Sequence, residues 1–281
     1  CSLHDETDIF GKPAAERVQE AIDSDKQLLE GAKNGWTLLY YTGEEYSGGG
    51  YTYLLKFHDG NVTVTGDMAG KSDSTCTSSY NIIADQSIVL TFDTNNPLLH
   101  KFATPNSSSI DGEEGDYEFV IKKVTTDSLY LKGKKWGNQM VLARMPENVD
   151  WTAHLDSINQ VSNAIYYNNK LMYGNDSIGY FSLDDYTRRM ELKLDGDSIS
   201  MPYNVTTTGV HLMEPVVIKD QTVQDLTFNK DTHQFTLKGQ NSMLTVDGYL
   251  PANYKYIDFF EGTWTLLCHA TDNDNNETQT V

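Results

Sequence analysis

Seven histidines, three cysteines and 40 acidic residues are the groups from which this 281-residue chain could assemble a reactive centre. None of His4, His58, His100, His154, His211, His233 and His269 lies three or four residues from another. No helix can therefore present two of them to one metal ion, and they read as surface or hydrogen-bonded side chains. Cys1, Cys76 and Cys268 form neither a Cys-x-x-Cys pair nor a Cys/His cluster at zinc spacing. A structural metal or a redox dithiol is not expected, although Cys76 and Cys268 could pair in an oxidising compartment. Asp184-Asp185 and Asp195/Asp197 invite a paired-carboxylate reading for glycoside hydrolysis. Among 40 acids such pairs arise by chance, and the second brackets a turn glycine, Gly196. Asp272-Asn273-Asp274-Asn275-Asn276-Glu277 opens like a calcium loop but has Glu277 where the sharp turn needs glycine. Ser47-Gly48-Gly49-Gly50 lies between strand patterns with no helix N-terminus after it to hold a phosphate. No catalytic residue, no metal site and no cofactor is predicted.

The 17 tyrosines are more informative. Tyr40, Tyr41, Tyr46, Tyr51 and Tyr53 crowd one part of the first half; Tyr166, Tyr167, Tyr173, Tyr180 and Tyr186 crowd the second. A tyrosine offers a flat apolar face with a hydroxyl, suited to stacking on a sugar or lining a ligand cup. Tyr40, Tyr51, Tyr53 and Phe57 are the candidate ligand-binding residues on that reading. The competing reading is that aromatic residues fill sheets well. The strand parity that faces inward decides between them.

These side chains have to be carried by strands. After Pro13, apolar residues Ala14, Val18, Ala21, Ile22, Leu29 and Ala32 recur near helical spacing, predicting a helix near 13–33 that Asn34-Gly35 stops. The period then changes to two. Strands are predicted at 36–41, 51–57, 62–65, 80–83, 88–92, 117–124, 129–132 and 140–145, with Asp59-Gly60 as a hairpin turn whose two residues need positive φ. About eight short strands close most easily into an up-and-down barrel or a sandwich. A second helix follows, with Trp151, Leu155, Ile158, Val161 and Ile165 at helical spacing and Asp150 as its cap. Strand patterns then resume from 166 to 246, and Asp195-Gly196 repeats the Asp59-Gly60 turn. A third echo, Gly262-Thr263-Trp264-Thr265-Leu266-Leu267, repeats Asn34-Gly35-Trp36-Thr37-Leu38-Leu39, either closing an earlier sheet or beginning a further repeat. The expected fold is mainly β: an N-terminal helix plus up-and-down barrel over 13–147, a second helix-introduced β-rich unit over 148–250, and a C-terminal strand or new repeat over 251–281.

Charge and composition limit the partners. The formal net charge of −19 repels a phosphate backbone, so nucleic acid is not expected. No apolar run approaches the ~18–20 residues of a membrane span. Cys1 followed by the polar, acidic Ser2-Leu3-His4-Asp5-Glu6-Thr7-Asp8 instead predicts a lipidated cysteine and a tether over 1–12.

Two resemblances add to this reading. The Gly-x-Trp of Gly262-Thr263-Trp264, and Asn34-Gly35-Trp36 with one departure, resemble the lipocalin signature, and the first unit is lipocalin-like in its helix, meander and late arginine. The resemblance implies that Arg144 lies across Trp36 at the barrel base. The whole chain resembles a family of Bacteroidetes putative lipoproteins, domain of unknown function 4302. Its residues here are Asp5-Glu6-Thr7-Asp8-Ile9-Phe10, Ala15-Glu16-Arg17, Asn34-Gly35-Trp36, Gly49-Gly50-Tyr51, the run from Thr208 to Val216, and Val223-Gln224-Asp225-Leu226-Thr227-Phe228. The acidic run after Cys1 resembles the export tag of surface lipoproteins in that phylum. These resemblances imply an outer-membrane lipoprotein concerned with nutrient capture and bring no activity. The expected function is non-enzymatic binding of a glycan or small apolar ligand, with an envelope protein complex as the possible partner. An assembly role with solid barrels and a glycoside hydrolase-like enzyme are the rivals.

Overall fold

The first sheet begins where a glycine is required. Gly35 takes φ +75°, and a Cβ there would lie 2.3 Å from the Leu55 carbonyl oxygen. Only glycine lets the chain pass from helix α1 (Ala14–Glu30) into strand β1 (Trp36–Tyr41) at that distance. The computed structural model describes residues 12–165 and 168–249, with the backbone alone of 269–271 and 277–279. Cys1 with its tether up to Gly11, Tyr166, Tyr167, Gly262-Thr263-Trp264, Cys268 and residues 272–276 lie outside the described residues.

From β1 the chain continues through β2 (Gly50–His58), β3 (Asn61–Gly66), β4 (Cys76–Ser79), β5 (Asn81–Asp85), β6 (Ser87–Thr91), β7 (Glu118–Val124), β8 (Ser128–Gly133) and β9 (Gln139–Arg144). These nine strands form one antiparallel sheet in the order β4-β3-β2-β1-β9-β8-β7-β6-β5. The last strand returns beside the first, with Trp36 opposite Arg144. Edge strands β4 and β5 are joined by Tyr80 alone, so the sheet must curl until its edges nearly meet. The expected up-and-down barrel is thus present as a curled meander whose seam is bridged by the chain rather than by a hydrogen-bonded ladder. Helix α1 lies at that seam. Glu30 accepts hydrogen bonds from the Tyr80 hydroxyl at 2.8 Å and the Gly60 N–H at 2.9 Å, while Ile22 and Leu29 bury its apolar face. Asp59 and Gly60 turn with φ +47° and +74°, as the hairpin requires.

Helix α2 (Trp151–Ala164) is capped by Asp150, whose carboxylate accepts the Ala153 N–H at 2.8 Å. It leads into β10 (Asn168–Tyr173), β11 (Asp176–Asp184), β12 (Arg189–Leu194), β13 (Asp197–Val205), β14 (Gly209–Ile218), β15 (Gln221–Asn229), β16 (Gln234–Leu237) and β17 (Leu244–Tyr249). Here closure is complete: β17 pairs with β10 and the eight strands form a closed barrel. Among the described residues no helix is long and apolar enough to cross a membrane. The chain divides into two compact units, Cys1–Tyr249, which contains both sheets, and Leu250–Val281. In the latter, β18 (His269–Thr271) pairs antiparallel with β19 (Glu277–Gln279).

Strand β2 settles the parity question. Tyr51, Tyr53, Leu55 and Phe57 belong to the first apolar core, whereas Leu54, on the opposite face, is fully buried in the second. The strand is covered on both sides because its outer face is the floor on which the closed barrel sits.

Candidate functional site

Of the four residues expected to line a cup, Tyr40, Tyr53 and Phe57 are structural. Tyr40, Tyr53 and Phe57 are at most 1% exposed. The Tyr40 hydroxyl donates to the Asp116 carbonyl at 2.8 Å, the Tyr53 hydroxyl to the Leu98 carbonyl at 2.7 Å. Their rings meet edge to face at 5.1 Å, and Phe57 meets Tyr80 at 4.7 Å. With Phe92, Phe102 and Phe119 they fill the first barrel, so three of the four expected cup residues are packing residues. The physical reason is volume: stacked and edge-on rings close the interior without leaving a cup. The closed barrel is equally full, with an internal void of about 10 Å³ among its apolar side chains.

Tyr51, buried at 9% exposure, also borders a cleft, because its strand starts at the joint between the two sheets. The cleft, of about 850 Å³, is bounded by three irregular segments. The first is the loop from Thr42 to Gly49, cinched where the Thr42 N–H donates to the Gly49 carbonyl and its hydroxyl accepts the Gly49 N–H. The second is the long connection between β6 and β7, in which Phe102 stacks on Tyr51 at 4.1 Å. The third is the turn between β11 and β12, which carries Tyr186 at 90% exposure. That turn is locked: the Asp184 carboxylate accepts the Thr187 N–H at 2.7 Å, which holds the Asp184 carboxyl below its usual range. Asp184 is therefore a turn cap, and Asp195 with Gly196 forms the equivalent turn at φ +54° and +89°. The carboxylate pairs seen in the sequence are turn residues.

Charge at the joint is mostly committed internally. The Arg188 Nη1 donates to the Asp67 carboxylate at 3.2 Å, with the Asp67 side chain fully buried, and its guanidinium lies 5.8 Å from the Tyr51 ring centroid. Burial pushes the Asp67 carboxyl up, against the pull of Arg188 and of the Thr52 N–H it accepts. Arg189 donates to the carbonyls of Tyr46 and Gly48 at 2.8 and 2.7 Å. Lys101 donates to the Met68 carbonyl at 3.0 Å. Burial, then the nearby Glu113 carboxylate, raise the Tyr51 hydroxyl to about 12, so it remains a donor through the physiological range.

The glycine-rich loop has a role that its sequence position did not reveal. A Cβ on Gly49 would lie 2.5 Å from the Thr187 carbonyl oxygen, and one on Gly50 would lie 2.3 Å from that of Tyr203. The loop is bare because the second barrel's backbone lies directly against it. Phe102, Asp67, Arg188 and Arg189 are the site residues that sequence reading missed. Only the adjacent arginines at a turn offered any signal, and nothing in the spacing tied them to residues more than a hundred positions earlier.

The expected base pair is in place, with the Arg144 guanidinium 4.8 Å from the Trp36 ring centroid. Among the histidines, His58 contacts Asp59, His100 bonds Asn96 and packs on Tyr117, and His211 bonds Asp225 at 2.8 Å. Burial lowers the affinity of His154 for its proton. Among the described residues no group of three or more His, Cys, Asp or Glu stands close enough to hold a metal ion. Cys76 is a free, half-buried thiol.

Two structures of the Helicobacter pylori beta clamp align with the chain at 11% identity, one bound to a DNA ligase peptide and one in complex with 3,4-difluorobenzamide. They cover 89% and 88% of this chain and 70% and 66% of the clamp, at a TM-score of 0.11 in both cases, which is too low to inform fold or function. No curated protein matches at a significant score. The profile of the family described as Domain of unknown function (DUF4302) matches residues 6–230, and the chain belongs to that family.

Proposed function

We propose that this protein is a non-enzymatic binding module that takes a small molecule or glycan in the cleft between its two sheets. In this reading it works at the outer membrane, tethered through Cys1, in nutrient capture. The observation that carries the proposal is Tyr186: a large aromatic ring, 90% exposed, held on a rigid turn at the rim of a cleft whose floor is Tyr51 stacked on Phe102. A rigid tyrosine at the rim supplies contact area at little cost in conformational entropy. The acidic run at Asp5-Glu6-Thr7-Asp8 supports the tether. The solid interiors of both barrels favour one alternative, an assembly subunit of an envelope complex that binds nothing inside.

Native mass spectrometry of the protein released gently from its own host's envelope distinguishes these. The expected spectrum has an acyl-sized increment on Cys1 and a further non-covalent mass that is lost in Tyr186→Ala, with the variant's melting temperature unchanged. A bound mass that Tyr186→Ala retains overturns the cleft assignment. An acylated chain with no bound small molecule overturns the binding role in favour of assembly, and an unacylated Cys1 overturns the tether.

A further inference from the structure

We infer that the cleft selects uncharged saccharides and rejects acidic ones such as uronic, sialic or sulfated sugars. This rests on the cleft being the binding site, as proposed above, and adds the chemistry of the occupant.

Of the cations bordering the cleft, Arg188 is neutralised by the buried Asp67, while Arg189 and Lys101 donate to backbone carbonyls that occupy hydrogen bonds without cancelling their charge. An anion drawn to Arg188 would have to displace Asp67, whose carboxylate would then be buried with its charge uncompensated. The carboxylates bordering the cleft outnumber the two cations left unneutralised: Glu113, Glu114 and Asp185 line it, and Glu114 accepts the Glu44 N–H at 2.8 Å. Glu113 and Asp185 are exposed, and among the described residues their carboxylates make no hydrogen bond or ion pair. They stand on different walls, Glu113 on the β6–β7 connection and Asp185 beside Tyr186 on the β11–β12 turn. Carboxylates free to accept suit a ligand rich in hydroxyl donors, and charge-assisted hydrogen bonds of this kind are the stronger sort. The exposed Tyr186 ring at the rim supplies a face for the C–H side of a pyranose. An acidic sugar meets the same ring but brings its charge up to Glu113 and Asp185, where the bordering carboxylates exceed the unneutralised cations, inside the field of a chain of net charge −19.

The test uses the intact protein and a panel of oligosaccharides, each presented as an acidic form and as its carboxyl-reduced counterpart. An oligogalacturonide and the neutral galactose oligomer obtained from it by reduction are one such pair. Affinities are read by calorimetry at low salt. The expectation is that every saccharide bound is neutral, or is bound at least about tenfold more tightly in its reduced form, with the gap narrowing as salt is added. The double variant Glu113→Gln with Asp185→Asn is expected to close most of that gap by admitting the acidic forms. An acidic sugar bound as tightly as its reduced counterpart overturns the inference while leaving the cleft reading intact. A gap that the double variant does not change overturns the assignment to these two carboxylates. Failure of the whole panel to bind overturns the glycan reading itself, and the selectivity with it.

Discussion

Arg144 illustrates how one side chain can organise the end of a barrel. Its guanidinium covers Trp36, its Nε donates to the Thr126 carbonyl at 3.1 Å, and Nη1 reaches the Gly31 carbonyl at 3.4 Å, just past the end of α1. The Trp36 indole N–H donates to the Leu29 carbonyl at 2.9 Å. Tryptophan and arginine together therefore hold the helix C-terminus against the base of the sheet, where unpaired carbonyls favour a cation. Arg144→Ala is expected to cost about 2 kcal/mol, summing a cation–π contact of roughly 0.5–2 kcal/mol with hydrogen bonds weakened by partial exposure. Urea denaturation should show a lower midpoint at an unchanged slope. Arg144→Lys should recover less than half of the loss, since an ammonium covers the ring but lacks the fork that reaches two carbonyls. A lysine variant as stable as the native protein would show that charge alone, rather than guanidinium geometry, matters here.

At the scale of elements, one buried ion pair crosses the joint between the sheets. Asp67 follows β3, Arg188 precedes β12, and they are 121 positions apart. Removing one partner of a well-buried pair typically costs about 3–5 kcal/mol, because the other charge is left unpaired in a poorly solvated place. Asp67→Ala should fall in that range, whereas Asp67→Ala combined with Arg188→Met should cost less than Asp67→Ala alone; a double-mutant cycle by thermal denaturation measures the coupling. Additive costs would show that the pair does not hold the joint. The same contrast explains what the sequence could reveal. Both helices and most strands were legible because burial on one face imposes a period of two or of about 3.6. β4 was not, since Cys76-Thr77-Ser78-Ser79 has no apolar alternation, and it forms only because β3 offers a paired edge. β14 reads as two strands in the sequence because a register shift between His211 and Val216 interrupts its pattern. The cleft was illegible for a deeper reason. Its walls are three non-periodic segments, and Tyr186 differs from the buried tyrosines in position alone, not in residue type or local spacing.

For the whole molecule the decisive contacts are those in which one half completes the core of the other. Leu54 of β2 and Met145 after β9 are buried in the second core, and the Asn204 side chain donates to the Tyr51 carbonyl at 2.8 Å. Residues 12–249 should therefore unfold as one cooperative unit, and alkaline titration tests this because the perturbed hydroxyls are concentrated in the first sheet. Burial raises Tyr40 and Tyr53 well above the ordinary value of 10.0, raises Tyr41 and Tyr80, and brings Tyr51 to about 12. Above pH 10 the unfolded chain releases these protons while the folded chain retains them, so the unfolded state binds fewer protons and stability falls as pH rises. The protection these groups give is complete below pH 10 and is lost progressively toward their folded values. Unfolding should accordingly set in above pH 10, with tyrosinate absorbance and loss of β circular dichroism rising together. Hydrogen exchange resolved by peptide should show the second barrel opening at the same pH as the first, although few of the titrating groups lie in it. Retained protection in 168–249 after the first sheet has opened would mean that Leu54, Met145 and the ion pair join two separately stable bodies rather than one.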